Sequence, residues 1–161
     1  MRRKMQSKEK VRFEGISAQE FRARVGMDVA EFLEMALPKA RDVREQAYAP
    51  YSGFRVGAAL LVDGGQVFCG ANVENASYGL AICAERSAAT AAVSHGQRAF
   101  RAIVIVGAEG VGTAPCGTCR QFLSEFNAKL PVVYATNEGY VVTAVDQLLP
   151  DAFGPASFSI E

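Results

Sequence analysis

The sequence predicts a single α/β domain, a three-layer α/β/α sandwich with a mixed β-sheet of about five strands. Half of the 161 residues are apolar, which is enough to fill one substantial core. A β-hairpin pattern is followed by strand and helix patterns that alternate, as is typical of a sheet covered by helices on both faces. We expect residues 1–27 to form a polar N-terminal extension, residues 28–155 the domain, and residues 156–161 a short tail.

Two helical segments precede the strands. Ser17 and Glu20 have the spacing of a capping box and predict a short helix that ends at Gly26. From residue 28 to residue 47, apolar residues recur at helical spacing through VAEFLEMAL and ARDVREQAY. Pro38 interrupts this pattern, so we expect either a kink or the start of a second helix there.

The later elements alternate between strand and helix. FRVGAALLVD, a turn at residues 63–65 and QVFCGANV predict a β-hairpin. A helix from Cys83 to about Ser94 follows, and FRAIVIVGA is a continuous apolar strand of the kind that is buried on both faces. A second helix begins near Cys116, and PVVYAT and YVVTAV predict the last two strands.

Charge and cysteine content limit the function classes. Lys and Arg number 17 against 17 Asp and Glu, so no long-range field attracts nucleic acid or an anionic membrane, and a small neutral ligand is favoured. No apolar run approaches the roughly 18 residues of a membrane span, and MRRKMQSKEK lacks the apolar core of a signal peptide. We expect a soluble, cytoplasmic protein whose four cysteines serve a metal or catalysis rather than disulfides.

Three of the cysteines fall at the starts of two predicted helices. Cys83 opens one helix, and Cys116 and Cys119 lie three residues apart in the first turn of the other, where they share a side. The partial positive charge at a helix N terminus favours the thiolate form that binds zinc. Three thiolates with an open fourth position are typical of a catalytic zinc site, because closed structural sites use four protein ligands.

Each cysteine also has a plainer interpretation. Cys116 and Cys119 could form a reversible dithiol, and Cys83 could be a small buried apolar residue. We interpret Cys69 in the hairpin as a core residue, although counting alone leaves open a structural zinc with Cys69 as fourth ligand. Glu85 favours the catalytic site, because it lies two residues after Cys83 and a carboxylate there can exchange a proton with water at the open metal position.

Cys83-Ala84-Glu85 followed by PCGTC resembles the zinc-dependent cytidine deaminases, whose signature is a first ligand, a glutamate and PCxxC. APYSGFRVGAALL, GANVENASYG, ICAERSA, PCGTCRQ and LLPDAFGP also resemble that family, in the same order. The resemblance covers roughly residues 28–155 and implies the cytidine deaminase fold. Because the first ligand is cysteine rather than histidine, the chain is similar to the small homotetrameric branch, and His95 is not a ligand candidate.

The resemblance implies one Zn²⁺ per subunit, held by the three cysteines, with Glu85 as the proton shuttle. Three thiolates leave a divalent cation with net negative charge, which makes bound water less acidic. Arg86 is implied to donate to the sulfurs and offset this charge, although by itself it could form an exposed helix salt bridge. Arg120 is a weaker candidate for the same role.

The resemblance also implies how a nucleoside is held. Asn72 and Glu74 bond the ribose hydroxyls, Phe54 packs on the pyrimidine ring, and the Ala84 N–H meets the base O2. Taken alone, the first two resemble ordinary loop residues and Phe54 a core residue. Ala114 stands where the family commonly has serine. A further group is implied to reach into a neighbouring subunit's pocket, so that active sites are shared in a homotetramer: Ala76, Tyr78 and Phe153.

The activity implied is hydrolytic deamination of cytidine and 2′-deoxycytidine to uridine and 2′-deoxyuridine, with release of ammonia, in pyrimidine salvage. Two alternatives stay open: a deaminase of a nucleoside-like antibiotic or of cytosine in nucleic acid, and a noncatalytic zinc or redox module. The neutral charge balance disfavours a polynucleotide, and Glu85 with the NVENASY segment disfavours a noncatalytic module. The preference between cytidine and deoxycytidine and the role of residues 1–27 stay open.

Overall fold

The computed structural model describes residues 10–158. Its strands are β1 (Lys10–Phe13), β2 (Gly57–Val62), β3 (Val67–Ala71), β4 (Phe100–Val106), β5 (Pro131–Thr136) and β6 (Gly139–Ala144). Its helices are α1 (Ala18–Val25), α2 (Val29–Arg44), α3 (Ala84–Ser94), α4 (Gly117–Phe126) and α5 (Val145–Leu148), with 3₁₀ turns at Tyr78–Leu80 and Pro155–Ser157. Among the described residues, every helix is too short or too polar to cross a bilayer.

The predicted three-layer sandwich is confirmed, with one strand more than expected. Within residues 10–158 the sheet has six strands in the order β1-β6-β5-β4-β2-β3. The β4–β5 and β1–β6 pairs are parallel and the other three are antiparallel. The additional strand is β1, which lies in the segment interpreted as a polar extension. Its four residues alternate between Lys or Arg and an apolar residue, a pattern too short to predict a strand against its polar surroundings.

The N-terminal extension contributes a helix that ends as predicted. Glu20 N donates to Ser17 Oγ at 3.1 Å and Ser17 N donates to Glu20 Oε2 at 2.7 Å, so the predicted capping box is confirmed. Gly26 ends α1 in the left-handed conformation at φ 88°. Residues 1–9 of the extension and residues 159–161 of the tail lie outside the described residues.

Helix α2 runs without interruption through Pro38, so the alternative of a second helix beginning there is wrong. It starts at a second capping box, in which Glu31 N donates to Asp28 Oδ1 at 2.9 Å. The apolar stripe that α2 buries against the sheet offsets the backbone hydrogen bond that proline cannot make. The buried members of this stripe are Phe32, Leu33, Ala36, Leu37 and Ala40.

Helix α3 packs very closely on the hairpin, and this closeness positions the site. A Cβ built on Gly70 of β3 would lie 2.2 Å from Ala88 N and 2.5 Å from Ala84 O, so only glycine fits. The buried face of α3 consists of alanines together with Glu85. Small side chains on both elements bring the helix backbone onto the sheet. The alanine-rich composition of α3 is therefore what allows the short distance between the two elements.

We expect Phe21→Ala to lower the free energy of unfolding by about 3–5 kcal/mol, because it leaves a cavity in the core. Phe21 of α1 is fully buried, with its ring centroid 5.9 Å from that of Phe32. Gln19→Ala on the exposed side of α1 is the control. Urea unfolding followed by circular dichroism measures both, and equal midpoints for the two variants would show that α1 does not share the core.

Candidate active site

The structure brings together three of the four cysteines. Cys83 is the N-cap of α3, Cys116 is the N-cap of α4, and Cys119 lies in the first turn of α4. The three sulfur atoms lie within 4.8 Å of one another, and those of Cys83 and Cys116 are 3.7 Å apart. Two helices that are distant in the sequence therefore present their N termini to a single point.

The donor set fits one zinc ion with an open position. Tetrahedral zinc with Zn–S bonds of about 2.3 Å separates its sulfurs by about 3.8 Å, close to the 3.7 Å between the sulfurs of Cys83 and Cys116. In the part of the chain that the structure describes, this is the one cluster of three or more metal-binding side chains. Cys69 lies outside this cluster and packs against the part of the core that contains the buried residues of α2. The alternative of a closed zinc site with Cys69 as fourth ligand is therefore wrong.

The cluster holds protons unequally. Cys119 is buried, Cys83 is half-buried and Cys116 is exposed. A hydrogen bond from Cys119 lowers the pKa of Cys83 to about 5, although partial burial opposes the shift. The same hydrogen bond, together with burial, raises the pKa of Cys119 well above its usual range. Within this pair the ionised form is therefore favoured at Cys83, and the thiolate is the form in which cysteine binds a cation.

Arg86 lies against this sulfur cluster. Its Nη2 donates to Ala81 O at 2.9 Å, and its Nε is buried with no nitrogen or oxygen partner among the described residues. Burial opposes its charge, but interactions with the sulfurs of Cys83 and Cys119 outweigh this and raise the pKa of Arg86. Arg120, the weaker candidate for offsetting the sulfur charge, directs its guanidinium to two main-chain carbonyls instead.

Glu85 is a buried carboxylate beside the sulfurs. It is 4% exposed, and among residues 10–158 it is the only buried aspartate or glutamate. Burial raises the pKa of Glu85 to about 7, and the neighbouring Cys83 thiolate acts in the same direction. A carboxyl group in this range can both accept and return a proton at neutral pH.

A cavity of about 240 Å³ opens beside the cluster. It joins the sulfur and glutamate positions to most of the residues implied to bind a nucleoside. From the predicted set it is lined by Phe54, Asn72, Glu74, Cys83, Ala84, Glu85 and Cys116. Sequence reasoning missed other lining residues, whose apolar or small side chains carry no chemical signature beyond adjacency to the motifs: Val56, Val73, Ala81, Ile82 and Thr113.

Asn72 fixes the entrance to β2. Its Oδ1 accepts from Val56 N at 2.8 Å, and its Nδ2 donates to Phe54 O at 2.9 Å. These two bonds position the backbone that carries the Phe54 ring, which is 39% exposed and borders the cleft. The second amide hydrogen of Asn72 makes no hydrogen bond among residues 10–158.

Glu74 organises the loop opposite. Its Oε2 accepts from Tyr51 N at 2.8 Å and from Ser52 N at 3.2 Å, and its Oε1 accepts from Ser52 Oγ. The Ser52 hydroxyl and the Tyr51 N–H hold the pKa of Glu74 below its usual range, so the carboxylate stays ionised. Three of about four acceptor positions are thereby used within the chain.

The residues implied to serve a neighbouring subunit do not line this cavity. Tyr78 is 76% exposed and packs edge-on to Tyr51 in an adjacent cleft, with ring centroids 5.9 Å apart. Phe153 is 61% exposed, and Ala76 is also exposed. In a single chain these three side chains therefore point to other surfaces.

Comparisons with known proteins agree with this site. A family model described as the cytidine and deoxycytidylate deaminase zinc-binding region matches residues 30–136. The cytidine deaminase of Sporosarcina psychrophila is 43% identical over 129 residues, covering 79% of this chain and 95% of that protein. That of Halalkalibacterium halodurans is 47% identical over 122 residues, covering 74% and 92%. The crystal structure of the cytidine deaminase from Burkholderia pseudomallei superposes with a TM-score of 0.70 at 47% identity, covering 79% of this chain and all of that chain.

We expect Cys83→Ser and Cys119→Ser to lose most of their zinc, because a serine hydroxyl is a much weaker zinc ligand than a thiolate. Cys69→Ser is the matched control and should retain one zinc ion per chain. Elemental mass spectrometry after dialysis against a weak chelator measures the metal. Full zinc retention in the first two variants, or loss of zinc from the control, would contradict the assigned ligand set.

Proposed function

The chain belongs to the zinc-dependent cytidine deaminase family, and from this membership we propose that it hydrolyses cytidine and 2′-deoxycytidine to the corresponding uridines with release of ammonia. The observation that carries this proposal is the meeting of three sulfurs and a buried carboxylate at one cleft. Cytidine is supported by the relatives, which are themselves cytidine deaminases. Deoxycytidine is supported by the cleft, since either sugar offers a hydroxyl to Asn72 and Glu74.

Zinc, when bound, supplies a Lewis acid that makes water a better nucleophile at neutral pH. Glu85 performs the proton transfers. Its carboxylate takes a proton from the attacking water and delivers it to N3 of cytosine while the water oxygen bonds to C4. It then passes the second proton of that water to the exocyclic nitrogen, the C4–N bond breaks, and ammonia leaves. The raised pKa of Glu85 supports both acceptance and donation of the proton.

The chain's own groups hold the nucleoside in this proposal. Ala84 is the first residue of α3, so its N–H has no partner within the helix and can donate to the base O2. Phe54 packs on the pyrimidine face. The free amide hydrogen of Asn72 and the remaining acceptor position of Glu74 contact the sugar hydroxyls. Arg86 offsets the charge of the sulfur ligands.

We also propose a homotetramer in which neighbouring subunits complete each site. The cavity of one chain is smaller than the ~300–1,000 Å³ of most small-molecule sites. Large apolar side chains surround it on the surface, and such patches mark protein interfaces. In this proposal Ala76, Tyr78 and Phe153, which are exposed and do not line the cavity of their own chain, enter a partner's cleft. The four free cysteines support a reducing, cytoplasmic location. Hydrolytic deamination of nucleosides there supports a role in pyrimidine salvage.

Glu85→Gln tests the proton shuttle. We expect zinc content and assembly to persist while cytidine turnover falls by at least about 10²–10⁴-fold, because the amide cannot carry the proton. The decrease in cytidine absorbance measures turnover, and Glu109→Gln on an exposed loop is the control. Turnover close to that of the unaltered protein would remove Glu85 from this role.

A substrate panel tests the specificity. We expect turnover of cytidine and deoxycytidine and much slower turnover of cytosine, cytidine monophosphate and single-stranded DNA. Free cytosine lacks the sugar contacts, and phosphates meet the ionised Glu74 in a protein without net positive charge. Product analysis by chromatography measures all five under identical conditions. Substantial turnover of the polymer alone would overturn the choice of a free nucleoside.

A further inference from the structure

Arg120, in the first turn of α4, joins two main-chain segments that are distant in the sequence. Its Nε donates to Pro115 O at 2.9 Å, and its Nη1 donates to Leu148 O at 2.8 Å. Its own backbone N–H donates to Cys116 O at 3.0 Å. Arg120 therefore fixes the peptide groups on both sides of the Cys116 Cα, from which the sulfur projects. The same side chain fastens them to the end of α5.

Gln121 holds the next part of the C-terminal segment. Its Nε2 donates to Phe153 O at 2.7 Å. Between the two attachment points the chain turns at Asp151, which has the left-handed φ of 55° that aspartate tolerates better than most residues. Residues 148–153 are thus held at both ends by adjacent side chains of α4.

We propose that Arg120 and Gln121 form a bracket that positions the metal ligand Cys116 and, from the same helix turn, the aromatic arm at Phe153. Arg120 is a positioning residue for the sulfur, and Gln121 is a positioning residue for the arm. This inference rests on the proposed function, because it takes Cys116 as a zinc ligand and Phe153 as a residue that completes a neighbouring cleft. The bracket links the metal centre of one subunit to the pocket of the next.

Shape, rather than charge, gives Arg120 this role. The planar guanidinium holds its N–H donors in fixed directions, and those at Nε and Nη1 are taken by the two carbonyl oxygens. A lysine keeps the positive charge, but its donors share one nitrogen on a flexible stem, so it cannot reproduce the fixed Nε and Nη1 positions. If Arg120 acts only through its charge, R120K should match the unaltered protein. If Arg120 acts by positioning Cys116, R120K should bind zinc less firmly.

The first experiment compares R120K with R101K. Arg101 also donates through two guanidinium nitrogens, but both bonds go to Asp63 Oδ1 on the hairpin turn, from Nε at 3.2 Å and from Nη2 at 2.7 Å. We expect R120K to lose zinc to a chelator about 10–100-fold faster, as for other residues that orient metal ligands, and R101K to match the unaltered protein. The visible spectrum of the Co²⁺-substituted protein should also change in R120K alone. Zinc loss and a spectrum like those of the unaltered protein would overturn the bracket.

The second experiment tests the arm and does not depend on the folding of R120K. Q121L removes the bond to the Phe153 carbonyl, and Q66L makes the same change on the exposed hairpin. We expect Q121L to raise KM for cytidine about tenfold, the order of effect of losing one hydrogen bond, with zinc retention and kcat near those of Q66L. An unchanged KM, or zinc loss without a change in KM, would overturn this half of the bracket.

Failure of the bracket and failure of the proposed function have different signatures. If the unaltered protein lacks zinc or does not deaminate cytidine, the proposed function fails, whatever the variants do. If the unaltered protein is an active zinc enzyme and R120K and Q121L match their controls, only the bracket fails.

Discussion

The site depends on the close contact between α3 and the hairpin. Because Gly70 has no side chain and the buried face of α3 carries alanines, the backbones of the helix and the strand lie in close contact. This contact sets where Cys83 and Glu85 lie. Any larger side chain at Gly70 would meet the backbone of α3. Helix α4, which follows β4 in the chain, brings the sulfurs of Cys116 and Cys119 within 4.8 Å of the Cys83 sulfur. The positions of Cys83 and Glu85 therefore depend on how tightly α3 packs on the sheet.

That packing places ionisable groups where burial disfavours their charge. Glu85 and Cys119 are buried, and the charged forms of both are destabilised by the loss of water. Interactions with the sulfurs of Cys83 and Cys119 raise the pKa of Arg86, so its positive charge lies beside the cluster. A cation held by the three sulfurs would supply further positive charge there and stabilise an arrangement that the apolar core alone would oppose.

Much of the fold follows from local patterns, and the exceptions have physical causes. The capping box at Ser17 and the strand and helix order were predictable because the signals lie within a few residues. Strand β1 was not, because KVRF gains its place only by pairing with β6, a long-range contact. The continuity of α2 through Pro38 likewise depends on tertiary burial. In the site, ligand positions follow from motif spacing, whereas the contact of Arg120 with the Leu148 carbonyl depends on how α5 packs against α4.

The proposed chemistry depends on three sulfurs that bind one metal ion and leave its fourth coordination position open. X-ray absorption at the zinc K-edge of the purified protein tests it most directly, because it reports the number and type of atoms bound to the metal. We expect three sulfur neighbours at about 2.3 Å and one oxygen or nitrogen neighbour at about 2.0–2.2 Å. Four sulfur neighbours, or a metal without sulfur neighbours, would contradict it.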